Sequence, residues 1–449
     1  MKSGMVFIRI TTAFAIIFTI AAFGSGLQAE TLTLDQCVTK ALAQGYDLQA
    51  AREAVSRSEA AARKVQASMW PKLYAEAAYI ELEEAVQFND FTMTVQGQPF
   101  VVDQFVFSDD KMVKATVGLD IPLLTWGYLR NGSRVAKNRI KQAEVATEGA
   151  ADSLRFQVET AYNQVLIARE ASVYLEDTIG EMELFADTAQ RHFEEGQHNA
   201  PEKDIVQVQY DLNEMMLWRS ELAKWENLGL LALKTAMGMD ASEELDIAGK
   251  ELRVRKVDIN GIQMVETALG HNPGLRQLDL EIENTTFMRK QARAGNLPMI
   301  GAFAKVDWLE DDLDYNQDRN SAVGIGIKWR IFDGLEAISA AKEVKFLASE
   351  LQFRRSDGRS KMELGVKQAV LNVQQFYEQV EILAGSRQLA IEQVRVVREG
   401  YQFGLASVKD VNEAQVQKRW ADANWLFKKM EYANALSSLR QLIGADVSP

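Results

Sequence analysis

The chain has one cysteine, three histidines and seven prolines in 449 residues, and its only long apolar run lies within the first 23 positions. Each scarcity excludes something. The lone thiol, Cys37, can close no internal disulfide, and the residues before it are not the small ones of a lipid anchor, so it reads as a small buried apolar side chain. The imidazoles His192, His198 and His271 fit no zinc spacing, and no nucleophile and base arrangement accompanies them. Gly324-Ile325-Gly326 lacks the third glycine of a dinucleotide fingerprint. No catalytic residue, metal site or cofactor is therefore expected. Basic excess is missing too: the formal charge is -13, which argues against nucleic acid as a partner.

Residues 1–29 read as a secretory signal, with Lys2 and Arg9 ahead of or within the apolar run Ile10 to Phe23 and a small-residue cut after Ala29. Loss of that segment takes the charge to about -15. The run is too short for a membrane-spanning helix, and no later segment matches it. Any crossing of a bilayer must then use strands. Prolines punctuate the remainder at 71, 99, 122, 201, 273, 298 and 449, leaving two long stretches without a helix breaker, 123–200 and 299–448.

What is abundant is repetition. Apolar residues fall at Val158, Tyr162, Val165, Ala168, Leu175, Ile179, Met182, Ala186, Ala189 and Phe193, then again at Val366, Ala369, Val373, Phe376, Val380, Leu383, Ala390, Val394, Val397 and Tyr401. The second set lies 208 positions after the first, Val366 over Val158 and Tyr401 over Phe193, with few exceptions. Steps of three and four make each set the seam of a coiled coil. Two structural repeats follow, 30–240 and 260–449, joined by a linker at 241–259. Each predicts a helix (about Leu34 to Met69; about Asn260 to Asn296) ended by Trp70-Pro71 or Leu297-Pro298. A long helix is expected at Tyr128 to His192 and Leu335 to Gln402, each roughly 100 Å at 1.5 Å per residue, and a return helix at Lys203 to Ala236 and Lys409 to Leu442.

Between the short and long helices of each copy lie two strand-like segments. In 112–121, Val113, Ala115, Val117, Leu119 and Ile121 oppose Lys114, Thr116, Gly118 and Asp120. In 299–308 and 322–330, Ile300, Ala302, Ala304, Val306, Trp308, Val323, Ile325, Ile327 and Trp329 oppose Gly301, Phe303, Lys305, Asp307, Gly324, Gly326, Lys328 and Arg330. Segment 72–82 alternates less cleanly. About ten residues is the length of a tilted membrane-barrel strand, and a lysine facing lipid at mid-depth would cost roughly 2–4 kcal/mol. The charged faces should line a lumen and the apolar faces should meet lipid. The joining segments, Glu83 to Lys111 and Leu309 to Asn320, read as exposed polar loops; the acids Glu310, Asp311, Asp312, Asp314 and Asp318 lack the glycine and glutamate of a calcium loop.

A Pro-ended helix, a strand pair, a Pro122-Leu123-Leu124-Thr125-Trp126-Gly127 or Arg330-Ile331-Phe332-Asp333-Gly334 turn, a long helix and a glycine turn, all twice over, resemble the TolC-like outer membrane efflux proteins. The segment Tyr401-Gln402-Phe403-Gly404-Leu405-Ala406-Ser407-Val408-Lys409-Asp410-Val411 is the most specific part of that resemblance. It implies a mainly α fold with a membrane β-barrel. In a homotrimer, each subunit would give four strands to one twelve-strand barrel and its helices to a coiled-coil tunnel across the periplasm. Physics asks for company independently, because four strands neither close a barrel nor hide their own edges. The resemblance further implies an exit duct of a tripartite efflux or type I secretion system, in the outer membrane with a periplasmic extension. Its partners would be a periplasmic adaptor and an inner membrane pump.

Carried over residue by residue, the resemblance places Gly196, Gly404 and Leu405 in the adaptor-contacting tip turns. It makes Tyr401 and Asp204 a periplasmic gate, the phenol donating to the carboxylate. It makes Asp410 and Glu413 an acidic ring favouring cations. Two departures stand out: Ala406 occupies the place of a latch-reinforcing arginine, and the first tip turn is longer and contains Pro201. Asp204 and Asp410 also suit ordinary first-turn positions, where a helix dipole favours acids. The alternatives in other classes are a non-conducting periplasmic adaptor or structural protein bridging the membranes, and a coiled-coil filament. The first lacks its compact β modules here, and the second has no use for lipid-length strands.

Overall fold

The computed structural model describes residues 31–83, 86–95, 98–108, 111–196, 200–311 and 318–445. The signal segment, part of the first tip turn and the acids Asp312 and Asp314 lie outside the described residues. In chain order the elements are β1 (Thr31–Leu32), α1 (Leu34–Gln44), α2 (Tyr46–Ala67), β2 (Lys72–Glu81), β3 (Val86–Val95), β4 (Gln98–Ser108), β5 (Lys111–Leu124), α3 (Tyr128–Glu194) and α4 (Glu202–Ala236). The second half contains β6 (Asp246–Ile247), α5 (Gly261–His271), α6 (Pro273–Ala294), β7 (Met299–Asp311), β8 (Asp318–Lys328), α7 (Glu336–Gln402) and α8 (Val408–Ile443).

Both long helices contain 67 residues, or roughly 100 Å of axis. Antiparallel β2, β5, β7 and β8 form one sheet in that order. Beneath it the helices continuing those strands pack in the same order, α2 on α3, α3 on α6 and α6 on α7. Farther from the sheet α4 and α8 take over, with α3 against α4, α3 against α8 and α7 against α8. Each long helix therefore serves two different partners along its length.

The sequence predicts single helices where the structure has two. Gly45 separates α1 from α2: a Cβ there would sit 2.8 Å from Leu154 Cδ2 and 2.9 Å from the Ala236 carbonyl, so α3 and α4 press directly on its backbone. In the second copy Asn272 ends α5 and caps α6 by accepting from the Leu275 N–H at 3.0 Å, with Pro273 at the first helical turn. A second correction concerns the first joining segment. The expected polar loop is instead the two-stranded hairpin β3–β4, paired from Val86 with Ser108 to Val95 with Gln98. The β-branched and aromatic residues of 86–108 were the available signal for strands.

Where the two halves meet, β1 pairs in parallel with β6. Leu32, Cys37, Val158, Val165, Leu233, Met237 and Ile247 pack into one core there. The linker is pinned onto α3: Tyr162 donates to the Ala248 carbonyl at 2.5 Å, and Arg169 reaches the Ile247 carbonyl (2.9 Å) and Asp246 (2.5 Å) while also pairing with Glu226 of α4 (2.7 Å).

Candidate functional site

At one end of the molecule, register assigns the faces of the sheet. Cross-strand partners share a side, so Lys72, Tyr74 and Glu76 align with Asp120, Gly118 and Thr116, and onward with Phe303, Lys305 and Asp307. That polar face is cross-linked: Thr116 Oγ1 donates to Asp307 at 2.7 Å, and Lys305 lies 2.8 Å from the other oxygen of the same carboxylate. Two aromatic side chains reach over its glycines. A Cβ on Gly118 would come within 2.7 Å of three atoms of the Tyr74 side chain, and one on Gly324 within 2.9 Å of Phe303. The opposite face presents Leu73, Val113, Val117, Val323, Ile325 and Ile327, all exposed. Val323, Ile325 and Ile327 lie on β8, which is an edge strand, as is β2.

Aromatic residues bracket the apolar face. Trp70, Trp126 and Trp329 are exposed at its helical end, and Tyr79 and Trp308 near its far end. Trp126 Nε1 donates to the Pro298 carbonyl at 2.7 Å and Trp329 Nε1 to the Asn296 carbonyl at 3.1 Å, fixing both indoles at the sheet-to-helix junction. Tyr79 lies nine positions after Trp70. At about 3.4 Å per residue and a tilt near 40° they span roughly 23 Å, close to the height of a barrel's apolar band. Among the described residues no helix is long and apolar enough to cross a membrane.

At the opposite end the two helical hairpins turn over. Gly404 has φ +71°, with Leu405 N–H bonded to the Gly400 carbonyl at 2.8 Å and Gly404 N–H to Tyr401 at 3.0 Å. Those two bonds make a left-handed helix cap that glycine adopts without strain. Gly196, at φ +76°, ends α3 likewise. Phe403 and Leu405 project fully into the surroundings.

The acids expected at the tip have local duties. Asp410 is the third residue of a capping box: its carboxylate accepts from Ser407 N–H (2.7 Å) and Ser407 Oγ (2.8 Å). These two donors hold its carboxyl below the ordinary range. Glu413 lies one turn on, exposed on the same face, with Lys409 at 3.5 Å. Asp204 is half-buried in the first turn of α4, its backbone N–H bonded to the Pro201 carbonyl.

The structure does not join Tyr401 to Asp204. Tyr401 is 2% exposed at the end of α7, and its hydroxyl lies 3.0 Å from His192 Nδ1 in the last turn of α3. The two rings stack with centroids 5.3 Å apart, and Phe185 meets the phenol edge-on at 5.2 Å. Sequence reasoning considered His192 only as a metal ligand. The missed signal was its place beside Phe193, the residue one repeat away from Tyr401.

Above this contact a polar layer ties the two hairpins together. Glu181 of α3 accepts from Gln415 (3.2 Å) and Lys418 (3.4 Å) of α8 and faces Arg398 of α7 at 3.5 Å. Partial burial works against the Glu181 charge, yet the Gln415 amide and the two cations outweigh it and lower its pKa. Asn412 donates to Asp211 of α4 at 2.5 Å.

The chain matches the outer membrane efflux protein family over residues 37–217 and 264–445, one segment in each repeat. Comparison with curated proteins returns no match. Among solved structures it resembles the CmeC outer membrane channel of Campylobacter jejuni, with a TM-score of 0.75 at 18% identity over 92% of this chain and 85% of that one. The VceC outer membrane protein of Vibrio cholerae gives 0.76 at 14% over 92% and 97%. The MtrE outer membrane channel of Neisseria gonorrhoeae, in an open state, gives 0.71 at 17% over 92% and 89%. At these identities the structural likeness speaks to the fold.

Proposed function

Since the chain belongs to the outer membrane efflux protein family, we propose that its efflux channel is a homotrimeric duct, shut at the far tip and driven by an inner membrane pump through a periplasmic adaptor. The family places it in the outer membrane with a helical periplasmic extension, and it is a family of channels rather than of enzymes. No reaction is assigned to it.

The observation that carries the reading is the four-stranded sheet with two open edges, a polar face and an aromatic-bracketed apolar face. Strand directions alternate across it, so β8 of one copy can pair antiparallel with β2 of the next without breaking the pattern. Repeated pairing removes every edge and turns the polar faces inward. Three copies supply twelve strands, a barrel wide enough to hold water. The same closure would bring three tips together, with Gly196, Gly404 and Leu405 at the end offered to the adaptor and Asp410 and Glu413 as candidates for a cation-favouring ring. The repeats 30–240 and 260–449 are the natural domain division, with 241–259 as the clasp between them.

Planar-bilayer recording of detergent-extracted protein tests the duct. Stepwise currents that grow when the tip is loosened are expected. Absence of current from both wild type and tip variants, or a monomer soluble without detergent, would defeat it in favour of a non-conducting bridge.

A further inference from the structure

Three polar or cation–π ties run directly from α7 to α3: Arg387 over the Tyr174 ring at 4.5 Å, Arg398 to Glu181 at 3.5 Å, and Tyr401 to His192. They lie in that order toward the tip. The last differs in kind, because it joins the final turns of both long helices, where an opening motion would separate them most. It is also the most enclosed: Tyr401 is buried against Ala189, Ile205, Val208 and Val411 in the apolar cluster that seals the hairpin ends.

Four nearby acids have other partners. Glu399 holds Arg395 at 2.7 Å, Glu181 holds Lys418, Asp410 holds Ser407 and Glu413 holds Lys409. The imidazole of His192 is a hydrogen-bond partner of the phenol, and the bond works in either tautomer: Nδ1 accepts from the phenol O–H, or Nδ1–H donates to the phenol oxygen. Stacking adds to it, and Phe185 fixes the phenol from the side.

We propose that His192, rather than Asp204, is the positioning residue that keeps Tyr401 in the closed tip, and that the His192–Tyr401 stack is what parts when the duct opens. The inference rests on the duct reading above. It also explains how the tip closes with Ala406 where an arginine would otherwise reinforce it.

The test is open-state occupancy in planar bilayers for full-length His192→Ala, Tyr401→Phe, the double variant, His192→Asn and Asp204→Asn. Loss of one hydrogen bond worth roughly 1–1.5 kcal/mol predicts a 5- to 10-fold rise in the open-to-closed ratio for either of the first two. The double variant should add little beyond the larger single effect, because both remove the same bond. His192→Asn, whose amide can occupy the place of Nδ1, should restore most of the closure, and Asp204→Asn should change the ratio less than 2-fold. A merely structural histidine would give multiplying effects and no rescue, and that result overturns the proposal. So does opening by Asp204→Asn with His192→Ala silent. If none of the channels conducts, the duct reading fails and this one with it; if they conduct and His192 is uncoupled from Tyr401, only this one fails. Matching thermal melting of each variant with wild type separates gating from misfolding.

Discussion

Replacing Lys429 by Met should destabilise the subunit far more than removing any of the exposed charges on its helices. Lys429 on α8 and Glu170 on α3 are 3% and 4% exposed, with Nζ and Oε1 2.5 Å apart. The ammonium also sits 4.3 Å from the centre of the Trp425 ring, and the other carboxylate oxygen accepts from the Leu252 N–H of the linker at 3.1 Å. At an effective dielectric near 20, a pair this close gains roughly 6–7 kcal/mol. Desolvating two ions costs several kcal/mol each, so the pair nearly breaks even against a well-packed apolar pair. Removing only the cation leaves the carboxylate buried with one backbone donor, which costs about 3–5 kcal/mol. For a 449-residue chain the unfolding entropy is about 0.9 kcal/mol/K, so Tm should fall by about 3–5 °C. Melting followed by tryptophan fluorescence is the assay, since Trp425 reports the site directly. Glu170→Leu combined with Lys429→Met should recover most of the loss. A Lys429→Met melting curve that matches wild type, or a double variant worse than the single, would refute this account of a costly orphaned charge.

Asp410→Ala with Glu413→Ala should reduce cation preference, read as a shifted reversal potential in a salt gradient; an unchanged potential would remove these carboxylates from the conducting path. Cys37 is fully buried and burial pushes its thiol up to about 11, so a maleimide at pH 8 should leave it unlabelled in the folded protein and label it in denaturant. The Asp410 carboxyl is held down chiefly by the Ser407 N–H and hydroxyl. A depressed folded pKa means that its capping contribution is present above the unfolded carboxylate's pKa, about 3.9, and is lost as pH falls through the lower folded value. Pepsin nicking of the second tip turn should therefore rise steeply only below about pH 4, and at a higher pH in Ser407→Ala; equal cleavage across that range would contradict the cap.

The long helices, the return helices and three of the four sheet strands can be read from spacing, because periods of 3.5 and 2 are local properties of the backbone. Doubling of the pattern reinforced each assignment. Helix α3 ends at Glu194 and α7 at Gln402, within two residues of expectation, because Gly196 and Gly404 supply local stop signals. Local signals also misled where tertiary contact intervened. Gly45 is a mild helix former's gap in the sequence and becomes a break because α3 and α4 occupy the space around it.

The residues alone establish that there are two hairpins of coiled-coil helices beneath amphipathic strands, since that follows from periodicity and from which side chains tolerate lipid. They do not say which side chain on α3 meets Tyr401. That depends on how two helices of about 100 Å are rotated and supercoiled about one another, and an ideal helix drifts about 20° per heptad from a strict seven-residue repeat. Over the length of α7 that drift is enough to exchange one neighbour for the next. Packing of the whole assembly of helices puts His192 there and leaves Asp204 on the adjoining turn of α4.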